Sequence, residues 1–237
     1  MKIAKQQVTL IDSMGTDLSV VNAARVSFAK ASAYEEVEHP GGYVDYQLPD
    51  KDDKLIHYLA KHRHKSPFNH AFMSFRVKAP IFVARQLVKH EYLPWNEVSR
   101  RYVTEEPEFY FPDYWRKKAD NVKQGSSDEY VDITQYYGNQ GKHGSSDPFD
   151  DSVAIAFEAY QHMLNVGVCA EQARMVLPQN TMTEWIWSGS LYAFAKMCKL
   201  RLDSHTQKET REVAQLISDE ATKLFPVSWE ALLEYAT

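Results

Sequence analysis

The sequence predicts a fold that mixes α-helix and β-strand, and three observations carry that prediction. Short apolar runs suited to strands stand near the start and in the middle, at Val8 to Ile11 and at Phe72 to Val77. Around them apolar residues return every three or four positions, which is the helical period. With 44% hydrophobic and 25% charged residues among 237, the chain can bury a core of one large or two small domains.

The elements follow in order. After the first run, Asp17 opens a helical stretch, DLSVVNAARVSF, and an acidic first residue suits a helix start. Turn-forming residues fill Glu38 to Asp53, with His39-Pro40-Gly41-Gly42 as the clearest break, so a surface loop is expected there. Lys54 to Arg63 carries Leu55, Ile56, Leu59 and Ala60 on one helical stripe. Ser66-Pro67 can cap a further turn, Phe72 to Val77 alternates as a strand does, and Pro80 starts a helix over IFVARQLVKHE. Pro107 to Pro148, rich in Tyr, Asp, Ser and Gly, shows no period. From Asp151 onward the pattern is helices with short breaks: Val153 to Val166, Cys169 to Leu177, Leu191 to Leu202, Lys208 to Leu224, and a short one ending near Tyr235. The carboxyl half is therefore expected to be mainly α, and the chain carries no internal repeat.

Composition excludes several classes. A formal net charge of −5 argues against a nucleic-acid binder that relies on a basic surface. No run approaches the roughly 18 apolar residues of a membrane span. Met1-Lys2-Ile3 leads straight into strand-like sequence with no signal-peptide pattern, so a cytoplasmic protein is expected. Cys169 and Cys198 form neither a CxxC motif nor a disulfide framework, and neither has an activating local context. Both are expected to be reduced and structural. His62, His64 and His70 invite a metal reading, but the His-x-His pair points to different helix faces and no paired carboxylate or cysteine stands nearby, so no metal is expected. The aromatic series Phe109, Tyr110, Phe111, Tyr114 and Trp115 lacks the basic surround of a base-stacking platform, and packing around an insertion explains it better.

Chemistry concentrates in two adjoining segments. Wound at about 100° per residue, positions 81 to 91 place Arg85, Gln86, Lys89 and His90 in one sector, opposite Ile81, Val83, Ala84, Leu87 and Val88. Alone, that helix is an ordinary solvated face with Phe82 as its one apolar member. Then comes YLPWNEVSRRY, where Asn96, Glu97, Ser99, Arg100 and Arg101 crowd donors and acceptors between aromatics. Arg101 and Ser99 suit phosphate oxygens, and Glu97 can accept from a base or a sugar hydroxyl. An exposed, salt-bridged loop is the plainer alternative.

The stretch ARQLVKHEYLPWNEVSRRYV resembles the signature of the flavin-dependent thymidylate synthases, the ThyX family, which reads Arg-His-Arg, seven residues, Ser-x-Arg. Here the spacing is kept as Lys89-His90-Glu91, seven residues, Ser99-Arg100-Arg101, with both flanking arginines of the triplet replaced. MGTDLSVVNAARVSF, HKSPFNHAFMSFRVKAPIFVARQ, EQARMVLP and LRLDSHTQKE continue the resemblance in the family's order over most of the chain.

The resemblance implies one α+β domain over residues 1–237, with a central antiparallel sheet and a helical layer, assembled as a homotetramer with shared active sites. It implies reductive methylation of dUMP to dTMP with FAD, and with NADPH and methylenetetrahydrofolate as co-substrates. Carried over residue by residue, it implies dUMP binding by Gln86, Lys89, Glu97, Ser99, Arg100, Arg101, Arg174 and Arg201. FAD would meet Ser27, Ser66, Lys89, His90, Glu91, Asn96, Glu97 and His205. Arg201 is the catalytic candidate, as a fixed cation against the anion formed when uracil N3 loses its proton. Ser190, Tyr192 and Lys196 stand where family members carry Asn, Arg and Asn, so with Glu91 the flavin's surroundings are altered. Two alternatives stand beside this reading: a flavin- and folate-dependent dUMP hydroxymethylase, which the altered triplet leaves open, and an inactive nucleotide-binding homologue, which Arg201 and His205 disfavour.

Overall fold

The computed structural model describes residues 1–120, 125–134 and 147–235. Strands β1 (Lys2–Ile3) and β2 (Gln7–Met14) lead into helix α1 (Asp17–Arg25), and a hairpin of β3 (Glu35–Glu38) and β4 (Val44–Gln47) precedes α2 (Asp50–Lys61). Strand β5 (Phe72–Pro80) runs directly into α3 (Ile81–Leu87), followed by β6 (Trp95–Glu97), β7 (Glu108–Phe109) and a hairpin of β8 (Arg116–Lys118) and β9 (Ser126–Tyr130). The remainder comprises α4 (Pro148–Asn165), α5 (Ala170–Ala173), β10 (Met182–Ser190), α6 (Leu191–Arg201), α7 (Lys208–Leu224) and α8 (Pro226–Tyr235).

The central sheet is antiparallel in the order β2-β5-β10-β6. Its register pairs Val77 with Trp185 and Phe75 with Trp187, and pairs Trp187 in turn with Trp95 of β6. Alternation along β5 and β10 sends Met73, Phe75, Val77, Trp185 and Trp187 to one face, where they are buried. Helices cover that face with Val20 and Val21 of α1, Ile56 of α2, Phe194 and Met197 of α6, Ile217 of α7 and Trp229 of α8. The opposite face carries Thr9, Arg76, Ile186 and Asn96 in one row, and it leaves Met14 and Phe72 exposed. A smaller core of Phe109, Val153 and Phe157 docks α4 on β7, with Phe111, Phe149 and Leu177 against it. This is the α+β arrangement of a central antiparallel sheet and a helical layer. No helix among the described residues is long and apolar enough to cross a membrane.

Several elements differ from the sequence-based expectation. Residues 182–190, expected as a break between helices, form a nine-residue central strand. The Trp-Ile-Trp run hides its two-residue period, because both indoles face the core while Ile186 on the other face is also apolar; pairing to β5 settles it. The loop expected over 38–53 begins on the last residue of β3 and contains β4, and α2 begins at Asp50, where Asp50, Asp52 and Asp53 lie in the first turn and favour the positive end of the helix dipole. Helix α1 ends at Arg25, and Val26–Phe28 continues as a 3₁₀ turn. The helix expected over 169–177 is one α turn continued as the 3₁₀ turn Arg174–Val176. Helix α4 begins at Pro148, with the Asp147 carboxylate accepting from the Phe149 amide.

Helix α3 stops at Leu87, not Glu91. The chain turns at Tyr92, whose φ of 62° lies in the left-handed region. That reversal drives Leu93 against β10 at Gly189, where any Cβ would stand 2.4 Å from a Leu93 methyl and 3.1 Å from the Tyr92 carbonyl. The glycine thus lets the segment after His90 lie flat on the strand beside it.

Candidate active site

The candidate residues gather in two places. The first lies where two helices end. Helix α6 leaves the sheet through Ser190, whose hydroxyl caps it by accepting from the Ala193 amide, and its last residue is Arg201. There the Arg201 guanidinium donates to the backbone carbonyl of Gln86 at 2.9 Å and to His90 Nε2 at 2.9 Å. The Gln86 carbonyl is among the last four of α3, which have no partner within the helix, so the cation satisfies one of them at the negative end of the dipole. Arginine has no acceptor, so His90 Nε2 must carry a lone pair and the imidazole is neutral, with its proton on Nδ1. Burial, then the charges of Arg201 and Lys196, lower the His90 pKa to about 4, which agrees with that tautomer. Burial also holds Arg201 below the ordinary arginine value, without neutralising it. Gln86 adds a side-chain hydrogen bond from Nε2 to Gln207 Oε1 at 2.7 Å.

The second place is a groove of about 300 Å³ at the end of the sheet, lined by Glu97, Arg100, Arg174, Thr183 and Lys78 among others. Its carboxylate is held twice. Thr183 Oγ1 donates to Glu97 Oε1 at 2.6 Å and Trp95 Nε1 donates to Oε2 at 3.0 Å. The cations are looser: Arg174 is exposed, with Nε on the Glu171 carbonyl at 3.3 Å, and Arg100 reaches the Glu105 carbonyl at 2.7 Å. Ser99 Oγ accepts from both the backbone amide and Nε of Arg101 at 3.3 Å, and the Arg101 guanidinium lies 5.1 Å from the Tyr102 ring centroid. Glu108 and Glu184 also line the groove, ion-paired with Lys78 and Arg76, so the Arg100 and Arg174 guanidinium groups beside the fixed Glu97 carboxylate can bind a phosphorylated sugar.

The other predicted positions are scattered. Lys89, Glu91 and Asn96 are exposed. Ser27 is exposed in the 3₁₀ turn after α1, and Ser66 starts the turn that enters β5. His205 is exposed after α6, with Nδ1 2.9 Å from Asp203 Oδ1. None of Gln86, Lys89, His90, Ser99, Arg101, Arg201 and His205 lines the groove, so a single chain does not bring all the candidates together.

Functional partners that sequence reasoning missed are Thr183, Trp95 and Gln207, together with an ion pair behind Gln207. Arg116 in the irregular segment makes two bonds, 2.8 and 3.0 Å, to buried Glu209 in the first turn of α7. Burial would raise the Glu209 pKa, but the Arg116 guanidinium outweighs it and holds the carboxyl below its usual value. Through this pair the β8–β9 hairpin is tied to the turn bearing His205, and Gly125 approaches the His205 backbone. No periodicity marks these residues; only their pairing across the fold does. Elsewhere the histidines and aromatics have structural partners: His62 and His64 lie by the Tyr58 ring, and Phe111 and Trp115 pack on Phe149. Burial pushes the Cys198 thiol far above its ordinary value, so this cysteine has no thiolate character.

Comparison with known proteins adds three findings. The family described as Thymidylate synthase complementing protein matches residues 9–227. The flavin-dependent thymidylate synthase of Thermosipho africanus is 36% identical over 227 residues, which cover 96% of this chain and 90% of that one; the enzyme of Thermus thermophilus is 35% identical over 235 residues, covering 96% and 76%. Among solved structures, a UMP/dUMP methylase, PolB from Streptomyces cacaoi bound with 5-Br dUMP, superposes with a TM-score of 0.78 at 32% identity, covering 99% of this chain and 98% of that one. The same methylase bound with 5-Br UMP gives a TM-score of 0.77.

Proposed function

The chain belongs to the Thymidylate synthase complementing protein family, whose members are flavin-dependent thymidylate synthases, and from that premise we propose how its own residues convert dUMP to dTMP. FAD supplies the two-electron reduction when bound, methylenetetrahydrofolate the one-carbon unit and NADPH the reducing equivalents. The donor set suits such a cofactor: the free Nδ1–H of His90, the Asn96 amide, the Ser27 and Ser66 hydroxyls and the Lys89 ammonium can meet the acceptors of a flavin and its pyrophosphate. Glu91 and Glu97 are the anions of the set.

The observation that carries the proposal is the Arg201 guanidinium, held by neutral His90 and the Gln86 carbonyl. A cation fixed in advance stabilises negative charge on the uracil ring without reorganising, and an electron-rich ring is what attack from C5 on a one-carbon donor requires. The groove and the loop beside it supply the rest: Arg174 from the groove, with Arg101 and Ser99 from the adjoining loop, for the phosphate, Arg100 through its backbone and Glu97 for a hydroxyl, with Gln86 and Lys89 completing the dUMP site and His205 beside FAD.

The site is completed between copies of the chain. Groove and Arg201 cluster are separate within one chain, and the open sheet face with Met14 and Phe72 offers an apolar surface. A homotetramer with shared sites accommodates both facts. Its partners are then small molecules, and with two free cysteines its compartment is the reducing cytoplasm.

The test is anaerobic incubation of the FAD-loaded protein with dUMP, methylenetetrahydrofolate and NADPH, followed by separation of the nucleotides by chromatography and mass. The expected product is dTMP. A predominance of 5-hydroxymethyl-dUMP, or nucleotide returned unchanged by a protein that binds no flavin, would overturn the reading. UMP runs as a parallel substrate, because the similar solved structure is of a UMP/dUMP methylase.

A further inference from the structure

We propose that Thr183 and Trp95 are positioning residues that hold the Glu97 carboxylate as the acceptor for the 3′-hydroxyl of the nucleotide sugar. The inference rests on the reading of the groove as a dUMP site. Strand β6 pairs antiparallel with β10 so that Glu97 lies opposite Trp185, which puts Thr183 and Trp95 within reach of the same carboxylate. Thr183 Oγ1 donates to one oxygen at 2.6 Å, the short range of a charge-assisted bond, and Trp95 Nε1 donates to the other at 3.0 Å.

The chemistry narrows the occupant. A carboxylate has about four lone-pair directions, so two donors leave about two for a ligand and fix where those point. An ionised carboxylate repels phosphate, which belongs to Arg174 in the same groove and to Arg101 and Ser99 beside it. Glu97 must therefore face a donor on the neutral part of the nucleotide. Besides its phosphate, dUMP has two donors, the 3′-hydroxyl and N3–H, and N3–H belongs to the Arg201 side. The 3′-hydroxyl is left, and it lies on the sugar next to the phosphate arm. Without Thr183, an exposed glutamate keeps several rotamers, and ordering one on binding weakens the complex.

The experiment measures dissociation constants on the FAD-loaded protein for dUMP and for 2′,3′-dideoxyuridine monophosphate, which lacks the hydroxyl, together with kcat on dUMP. Thr183→Val keeps the shape and the strand preference but removes the donor. The expected result is about tenfold weaker dUMP binding, kcat within about twofold, and unchanged binding of the dideoxy nucleotide. Thr183→Ser restores dUMP binding, and Trp95→Phe shows the same nucleotide dependence with about a threefold loss. Equal losses for both nucleotides, or failure of serine to rescue, would overturn the proposal. Wild-type protein that does not bind dUMP at all would instead remove the functional reading beneath it.

Discussion

The Arg201 cluster and the groove hold charge in opposite ways. Arg201 is half-buried and bound by a backbone carbonyl and a neutral imidazole, with no carboxylate ion-paired to it among the described residues. Arg174 in the groove and Arg101, next to the lining Arg100, are exposed and each side chain is held by a single bond at 3.3 Å. A cation in the first setting is oriented before any ligand arrives and suits charge that develops during reaction. Cations in the second attract and seat a phosphate, gaining their order on binding. The contrast teaches that position at packed helix ends, and not residue type, separates the arginine proposed for catalysis from those proposed for binding.

The comparison breaks first at Arg201. Arg201→Ala should lower kcat by about a thousandfold or more while circular dichroism and melting temperature stay near wild type, since loss of one fixed donor to developing charge costs that order. A variant that keeps wild-type turnover would make Arg201 merely structural. Arg174→Ala should raise the dUMP dissociation constant about 10- to 100-fold with a smaller change in kcat, measured by calorimetry and steady-state kinetics. An unchanged affinity would remove Arg174 from the phosphate site. If the two regions meet across subunits, a mixture of the inactive Arg201→Ala and Arg101→Ala proteins, dissociated and reassembled, should recover about a quarter of wild-type activity by random pairing. Recovery of none would place both residues in one chain's site.

His90 sharpens the same contrast through pH. Its folded pKa of about 4 is below the unfolded value of 6.5, so between those limits the unfolded chain binds more protons and stability rises with pH. The His90 contribution is complete above about pH 6.5 and fades as pH falls toward 4. Nuclear magnetic resonance should find the imidazole neutral at pH 6, and a urea titration of His90→Gln should show a flatter dependence across that window; a protonated His90 at pH 6 would contradict its bond from Arg201. The smallest effect is expected at Glu91. Glu91→Arg should tighten FAD binding about two- to fivefold at low salt, fading at high salt because the side chain is exposed and screened. Weaker binding would place Glu91 away from the cofactor's phosphates.

Much of this was legible in the chain, unevenly. Arg85 and Gln86 on α3 and the NEVSRR run can be read from order and spacing, because neighbours on a helix or a tight loop are neighbours in sequence, whereas Lys89 and His90, expected on the same helix, lie beyond its end. Strand β10 was not, since its two tryptophans and Ile186 are all apolar and only pairing with β5 separates their faces. Thr183 was invisible as a partner of Glu97 for the same reason, since the two stand 86 positions apart and only the strand pairing joins them. Arg116, in a stretch without period, gave no sign of its pairing with Glu209.

By itself the sequence determined the composition of the core, the helical faces, the family and the identity of the candidate residues, because these depend on local period and on side-chain chemistry. The tertiary structure decided which candidates stand together. It set Arg201 against His90 and Gln86, placed two donors on Glu97, and kept the groove apart from the Arg201 cluster. Those outcomes depend on strand register and on where α6 ends beside α3, and both are set by packing across the whole sheet, which no local stretch of chain encodes.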